Sequence, residues 1–313
     1  TYDPPKFNPL LAAFNAGQIV ATGPQQAQIK LNGPLAPGED TPKWLRVVKT
    51  ASSLGFTAYR NTGVTIEGAP FKANMADGQL PIDYACKINR GPFSAKGNVR
   101  LVGPDSDLTI KLDGMDINYE MAPFLGFLNP LMGMGKTSKP ELSGQVNAQF
   151  SGNWKGALVE KVDPKASPPD YVALASQRLS GKGRFSVANF KTNGSPLMMA
   201  LNSAIGGSGE KIGEIQPTDF EIDNGALRYA SMVVILAGQK FVFSGVIHFD
   251  QRMDMQITMP FPSKLIKDQR LAKYLTTVTV PLTGTISEPT LDSQAVIQLA
   301  LKNAMNAAVK EGL

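Results

Sequence analysis

A single histidine and a single cysteine among 313 residues restrict the chemistry this chain can hold. Zinc sites draw on several His, Cys and carboxylate ligands, and nucleophilic sites pair Cys or Ser with a His that a further group orients. His248, in FVFSGVIHFD, falls on the wetter phase of a predicted strand, opposite Phe241, Phe243, Ile247 and Phe249, and reads as a surface residue. Cys86, in LPIDYACKI, falls in the apolar phase and reads as a small buried hydrophobe; standing alone, it forms no intrachain disulfide. Met134-Gly135-Lys136-Thr137 has the ending of a phosphate-binding loop, but Pro130 stands where its first glycine belongs and no apolar strand immediately precedes it. Gly207 and Gly209 open a dinucleotide fingerprint that Ile212 breaks, with Gly213 one residue late. Asp77, Asp113 and Asp223 lie at turns and Asp254 on a polar strand phase, where solvation explains them. The sequence therefore predicts no catalytic residue, no metal site and no cofactor, and the expectation is a protein that is not an enzyme.

The bulk composition describes the scaffold. A hydrophobic share of 42% supplies a substantial core, the charged share of 18% lies below the roughly 25% of ordinary soluble domains, and 30 glycines with 23 prolines favour many turns between short strands. The net charge of +5 is scattered, with no basic cluster interleaved with aromatics, so no nucleic-acid partner is expected. No apolar run reaches the ~18 residues of a spanning helix, and no secretory signal opens the chain. Because residue 1 is Thr, the expectation is that a leader or anchor preceded it.

Along the chain, one-faced strands recur. In LPIDYACKI the apolar phase is Leu80, Ile82, Tyr84, Cys86 and Ile88; in DLTIKLDG it is Leu108, Ile110 and Leu112. PELSGQVNAQFSGNW alternates Leu142, Val146, Ala148 and Phe150 with polar residues, and TVPLTGTISEPTLD repeats the pattern with Val280, Leu282 and Ile286. Helical spacing appears in PKWLRVVKTASSLGF, through Trp44, Val47, Val48, Ala51 and Leu54, and in SPLMMALNSAIG and SKLIKDQRLAKYL. It returns in the tail from Asp292 to Val309, whose stripe of Ile297, Leu301, Ala304 and Ala308 opposes Lys302 and Asn306. YEMAPFLGFLNPLMGM, apolar almost all round, reads as a buried plug or an interface piece.

These elements suggest a β-rich repeat over 1–156 with helices near 43–54 and 120–132, a linker over 157–178, and a second β-rich repeat over 179–313 that ends in the amphipathic helix. ADGQL matches DNGAL, FSAKGNV matches FVFSGVI, and DLTIKLDGMDI matches RMDMQITMPF in the same order, a degenerate internal repeat. About fourteen strands against about five helices leave more apolar strand surface than the helices cover. Either the strand faces meet in a closed sandwich or barrel, or a long curled sheet holds a ligand in its apolar interior. In RMDMQITMP the inward phase is Met253, Met255, Ile257 and Met259, and thioethers suit a surface that fits chains of varying shape.

Residues 180–292 carry, in order, LSGKGRFSVANF, a short helix, DFEIDNGALRYASMVVILAG, FSGVIHFD, MDMQITM and VPLTGTISEPTLD. That succession resembles the C-terminal region of the AsmA-like superfamily, and residues 60–154 resemble its β-rich upstream part more weakly. The resemblance implies a mainly β fold, a long curled antiparallel sheet forming a groove or partly open barrel with a few short amphipathic helices. It further implies a periplasmic, inner-membrane-anchored envelope protein that binds phospholipid or another acyl-chain lipid and contributes to outer-membrane lipid transport, with the membrane surface and envelope proteins as partners. The groove lining expected is Phe185, Val187, Phe241, Phe243, Ile247, Phe249, Met253, Met255, Ile257, Met259, Leu108, Ile110 and Leu112. The chain departs from the family in its length and in lacking the N-terminal anchor. A structural β-sandwich of the cell envelope is the competing expectation.

Overall fold

The computed structural model describes residues 18–20, 27–35, 41–54, 58–61, 63–68, 71–133, 141–158, 171–193, 195–205, 211–236, 238–261, 275–292 and 294–310. Among them the chain is mainly β, built on a large antiparallel sheet that does not close into a barrel. The strands are β1 (Gln18–Val20), β2 (Ala27–Asn32), β3 (Lys49–Leu54), β4 (Ala58–Asn61), β5 (Val64–Glu67), β6 (Phe71–Met75), β7 (Gln79–Ile88), β8 (Gly91–Arg100) and β9 (Asp105–Ile117). They continue as β10 (Glu141–Lys155), β11 (Leu179–Asn193), β12 (Lys211–Asp223), β13 (Ala226–Leu236), β14 (Gln239–His248), β15 (Arg252–Pro260), β16 (Thr277–Thr285) and β17 (Pro289–Leu291). The main sheet runs β1-β4-β5-β7-β8-β9-β10-β11-β12-β13-β14-β15-β16-β17, and a smaller one runs β2-β3-β6. Most neighbours in the main sheet are also neighbours in sequence, the arrangement that tight hairpin turns impose.

The helices are α1 (Thr41–Val47), α2 (Ala122–Leu128), α3 (Tyr171–Arg178), α4 (Pro196–Ile205) and α5 (Gln294–Lys310), and 3-10 turns at Tyr119–Met121 and Pro130–Met132 flank α2. No helix among the described residues is long and apolar enough to cross a membrane.

Two compact units emerge: residues 1–116, 146–184 and 222–225 form the first, and residues 117–145, 185–221 and 226–313 the second. Each draws on chain from both sides of 157–178.

In the first unit, β2, β3 and β6 pair antiparallel, and Leu45, Val48, Met75 and Val102 form a core against which Trp44, Leu80 and Leu101 pack. The helix expected near 43–54 is shorter: α1 ends at Val47, and Lys49–Leu54 forms β3 between β2 and β6. Val47, Val48, Ala51 and Leu54 fit a helical period, yet the Thr50, Ser52 and Ser53 run has poor helix propensity, and pairing on both edges decides for strand. Likewise, the expected linker contains α3, whose YVALASQR sequence is rich in helix formers; residues 159–170 lie outside the described residues.

The turn before β7 places Asp77 at φ 51° and Gly78 at φ 66°; the turn before β13 places Asn224 at φ 49° and Gly225 at φ 69°. Both have the pair of left-handed residues that a two-residue hairpin turn requires, and glycine takes the second place without penalty. The third such turn, between β7 and β8, uses Asn89 and Arg90 at φ 43° and 72°.

In the second unit, β13 to β16 form an antiparallel ladder whose register places Met232, Phe243, Ile257 and Val280 in one row and Tyr229, Gly245, Met255 and Leu282 in the next. Val234 pairs with Phe241, Leu227 with Ile247, and Met259 with Val278. Cross-strand partners share a face, so these rows make one continuous apolar surface. Over it lie the segment from Tyr119 to Met132 and α4, with Leu125, Leu131, Met132, Leu197 and Leu201 all at 1% exposure or less. The expected plug is therefore buried over residues 129–133, while Tyr119 at its start is 51% exposed. Where the sequence suggested a loop, at GSGEKIGEIQ, β12 begins at Lys211. The glycine pair at 207 and 209, the phosphate-loop-like 134–137 and nearly all of SKLIKDQRLAKYL lie outside the described residues.

Candidate functional site

The residues expected to line a groove fall into two environments. In the second unit, Phe185, Val187, Phe241, Phe243, Ile247, Met253, Met255, Ile257 and Met259 are exposed by 4% or less. Phe249 is half-buried and meets Phe127 edge to face, with ring centroids 5.4 Å apart. Protein atoms already occupy the space around these side chains. Phe185, Phe220 and Tyr229 form an aromatic triangle with centroids 6.0 to 6.3 Å apart, the edge-to-face geometry that ring quadrupoles favour. The roof is tied down by polar contacts: Tyr229 donates its hydroxyl hydrogen to the Leu128 carbonyl, and Asn129 Nδ2 donates to Met232 Sδ at 3.3 Å. Asn129 Oδ1 accepts from the Leu131 backbone N–H at 2.8 Å, so this fully buried amide uses both ends of its side chain. Burial pushes the Tyr229 phenol well above its ordinary pKa, as expected where an anion would lose its hydration.

In the first unit, Leu108, Ile110 and Leu112 are half-buried and belong to a wider surface. The register of β7, β8 and β9 aligns Cys86, Phe93 and Leu112 in one row, Tyr84, Ala95 and Ile110 in the next, and Ile82, Gly97 and Leu108 in a third. Leu80 and Val99 pair at one end. Ile82, Tyr84, Cys86, Phe93, Leu108, Ile110 and Leu112 are all half-buried, in contrast with the sealed rows of the second unit.

Strand β10 extends this surface. The hydroxyls of Thr109 and Ser151 lie 3.0 Å apart on the wet side, so Ile110 and Phe150, one residue along on each strand, face the other way. The Phe150 ring lies across the backbone, within 2.5 Å of where a Cβ at Gly152 would stand and within 2.6 Å of one at Gly181. Only glycine leaves room for the ring there.

Charge is kept to the opposite side of β7 to β9. Asp83 pairs with Lys96 at 3.7 Å and Lys111 with Asp113 at 3.1 Å, both on the polar phase. On the apolar phase the titratable groups of β7 are Tyr84 and Cys86, which hydrogen-bond to each other. Burial, with a smaller contribution from Cys86, pushes Tyr84 up to about 12. Burial also pushes the Cys86 thiol up, against an opposing hydrogen bond from Tyr84. Both are thus neutral at physiological pH, and a protonated thiol is neither a nucleophile nor a metal ligand. No group of three or more His, Cys, Asp or Glu suited to a metal occurs among the described residues.

Sequence periodicity had marked the apolar phase of β7, but the expected lining omitted Ile82, Tyr84, Cys86, Phe93, Ala95 and Phe150. The signal for β7 was the alternation used for β9. For Phe93 and Ala95, interspersed Gly and Ser blur it.

No family model, curated protein or solved structure matches the chain. What the arrangement offers chemically is an uncharged, hydrocarbon-lined strand surface whose backbone groups are already paired.

Proposed function

We propose that the protein is a lipid-binding module that takes acyl chains on the apolar face of β7 to β9. The observation that carries this reading is the incomplete burial of Ile82, Tyr84, Cys86, Phe93, Leu108, Ile110 and Leu112, aligned in three rows in which only Ala95 is buried. A chain laid there removes apolar surface of both partners from water, at about 0.8 kcal/mol per buried methylene. No catalytic group is needed for such a task. Together with the resemblance to AsmA-like proteins, this supports a role in lipid transfer in a bacterial envelope, on the periplasmic side of an inner-membrane anchor, toward outer-membrane biogenesis. The sealed rows of the second unit favour a structural role for that part, as a packed β scaffold.

The test is lipid capture. Purified protein incubated with phosphatidylethanolamine and phosphatidylglycerol vesicles, re-isolated and examined by native mass spectrometry, is expected to retain phospholipid. Folded protein that emerges without lipid would refute the reading in favour of a scaffold.

A further inference from the structure

We infer that one hydrocarbon chain, not a pair, lies lengthwise along β8, over Ala95 and Gly97 and between walls formed by Ile82 and Tyr84 on one side and Leu108 and Ile110 on the other. This inference rests on the lipid-binding reading above and specifies how that site takes its ligand.

The argument begins with side-chain size. The central strand of the three carries Ala95 and Gly97 where its neighbours carry Tyr84, Ile110, Ile82 and Leu108. Two successive small residues on one face of β8 leave out the side chains that would fill the middle of the sheet surface, and the walls stand on the strands about 4.8 Å to either side. The missing volume is a column one side chain wide, which accommodates one polymethylene chain. Gly97 cannot be enlarged without disturbance, since a Cβ there would come within 2.2 Å of the Asp107 carbonyl oxygen. The depression is thus fixed by the close approach of β8 and β9.

Length agrees with the same occupant. Phe93 stands at one end of the column and Val99 at the other; six strand intervals separate their backbones by about 20 Å. Half of a bilayer's ~30 Å hydrocarbon core is one acyl chain of about 15 Å, which fits between them. At the Val99 end the column is closed, because its partner Leu80 packs against the Leu45, Val48, Met75 and Val102 core. At the other end the β7–β8 turn carries the exposed Arg90, paired with Asp116.

Polarity argues against a peptide in this place. The backbone groups of β8 are paired with β7 on one side and β9 on the other. A peptide laid over the column would bury amides with nothing to bond, whereas a hydrocarbon has none to lose.

The experiment uses stearate carrying a nitroxide at carbon 5 or carbon 16, with methyl relaxation read on the full chain. A lengthwise chain broadens Ile82 and Leu108 with one probe and Ile88 and Leu112 with the other, equally in β7 and β9. A gradient from β7 across to β9, or broadening confined to residues outside these strands, overturns the inference. In parallel, Ala95→Leu should weaken stearate binding roughly a hundredfold, as expected when three or four methylenes lose their contacts. Lys96→Leu, on the opposite face, should leave binding unchanged. If Ala95→Leu binds as the parent does, the column is not the seat, although a lipid-binding face survives. If the parent binds neither stearate nor vesicle phospholipid, the lipid-binding reading itself fails. Should Ala95→Leu fold poorly, the two nitroxide patterns on the parent protein decide the matter. Sedimentation showing a dimer that shields these methyls, unaffected by stearate, would overturn the inference in favour of a second copy.

Discussion

The hydroxyl of Tyr229 donates its hydrogen to the carbonyl of Leu128, joining the central row of the second unit's sheet to the last residue of the helix that roofs it. Tyr229 is 3% exposed. Tyr229→Phe therefore leaves a carbonyl without its donor in a dry setting. The expected loss is about 1–3 kcal/mol, measurable as a lower urea midpoint at unchanged slope.

The same phenol gives an alkaline limit to stability. Its folded pKa lies above that of a free tyrosine, so the native state holds a proton that the unfolded chain releases above about pH 10. Its contribution is fully present below that pH and declines as pH rises through the window above it. Tyr84, pushed up to about 12, acts in the same direction. Urea midpoints should be flat with respect to these groups up to about pH 9 and fall beyond pH 10, and Tyr229→Phe should flatten the alkaline fall.

Two pairs of acidic substitutions separate core from surface. Phe243 and Met255 are exposed by 0% and 2%, so Phe243→Asp and Met255→Asp would bury a carboxyl in a filled core and are expected to unfold the protein, with a cost of several kcal/mol. Leu108→Asp and Ile110→Asp place the same group on a half-buried face. They should fold, with native circular dichroism, and lose lipid. A folded, lipid-free Met255→Asp would instead return the lining to the second unit.

Asn89 is expected to be the most sensitive turn position in the first unit. Its Oδ1 accepts from the Thr65 backbone N–H at 2.7 Å, and its Nδ2 donates to the carbonyls of Gly63 at 2.8 Å and Asp116 at 3.0 Å. It does so at φ 43°, a conformation that asparagine tolerates better than alanine. Asn89→Ala should cost about 2–4 kcal/mol, read from thermal unfolding, while Asn89→Gly should recover the part due to backbone strain.

Alternation along β7, β9, β15 and β16 was legible in the sequence because period two survives wherever one face stays apolar. The segment from Tyr119 to Met134, apolar almost all round, read as a buried plug or an interface piece, and the burial of residues 129–133 favours the first. What the chain did not disclose was where that plug lands. The Tyr229–Leu128 bond and the Asn129–Met232 contact join residues about a hundred positions apart, and no local pattern encodes such a meeting. The thioethers of Met253, Met255 and Met259 read equally well as a flexible ligand lining or as gap-fillers in a core. The short end of α1 was missed for a different reason: its apolar spacing fits two periods, and strand partners on either side of Lys49–Leu54 decided between them.

Cys86 is the chain's sole thiol and stands in the row with Phe93 and Leu112. The chain thus carries one attachment point for a maleimide dye, in the Phe93 row at one end of the β7 to β9 surface. Protonated and half-shielded, it should label slowly at neutral pH and faster in mild alkali. Its alkylation rate is therefore a ready-made clock for occupancy, running slow when the seat is taken and fast when it is vacant, with no engineered residue required.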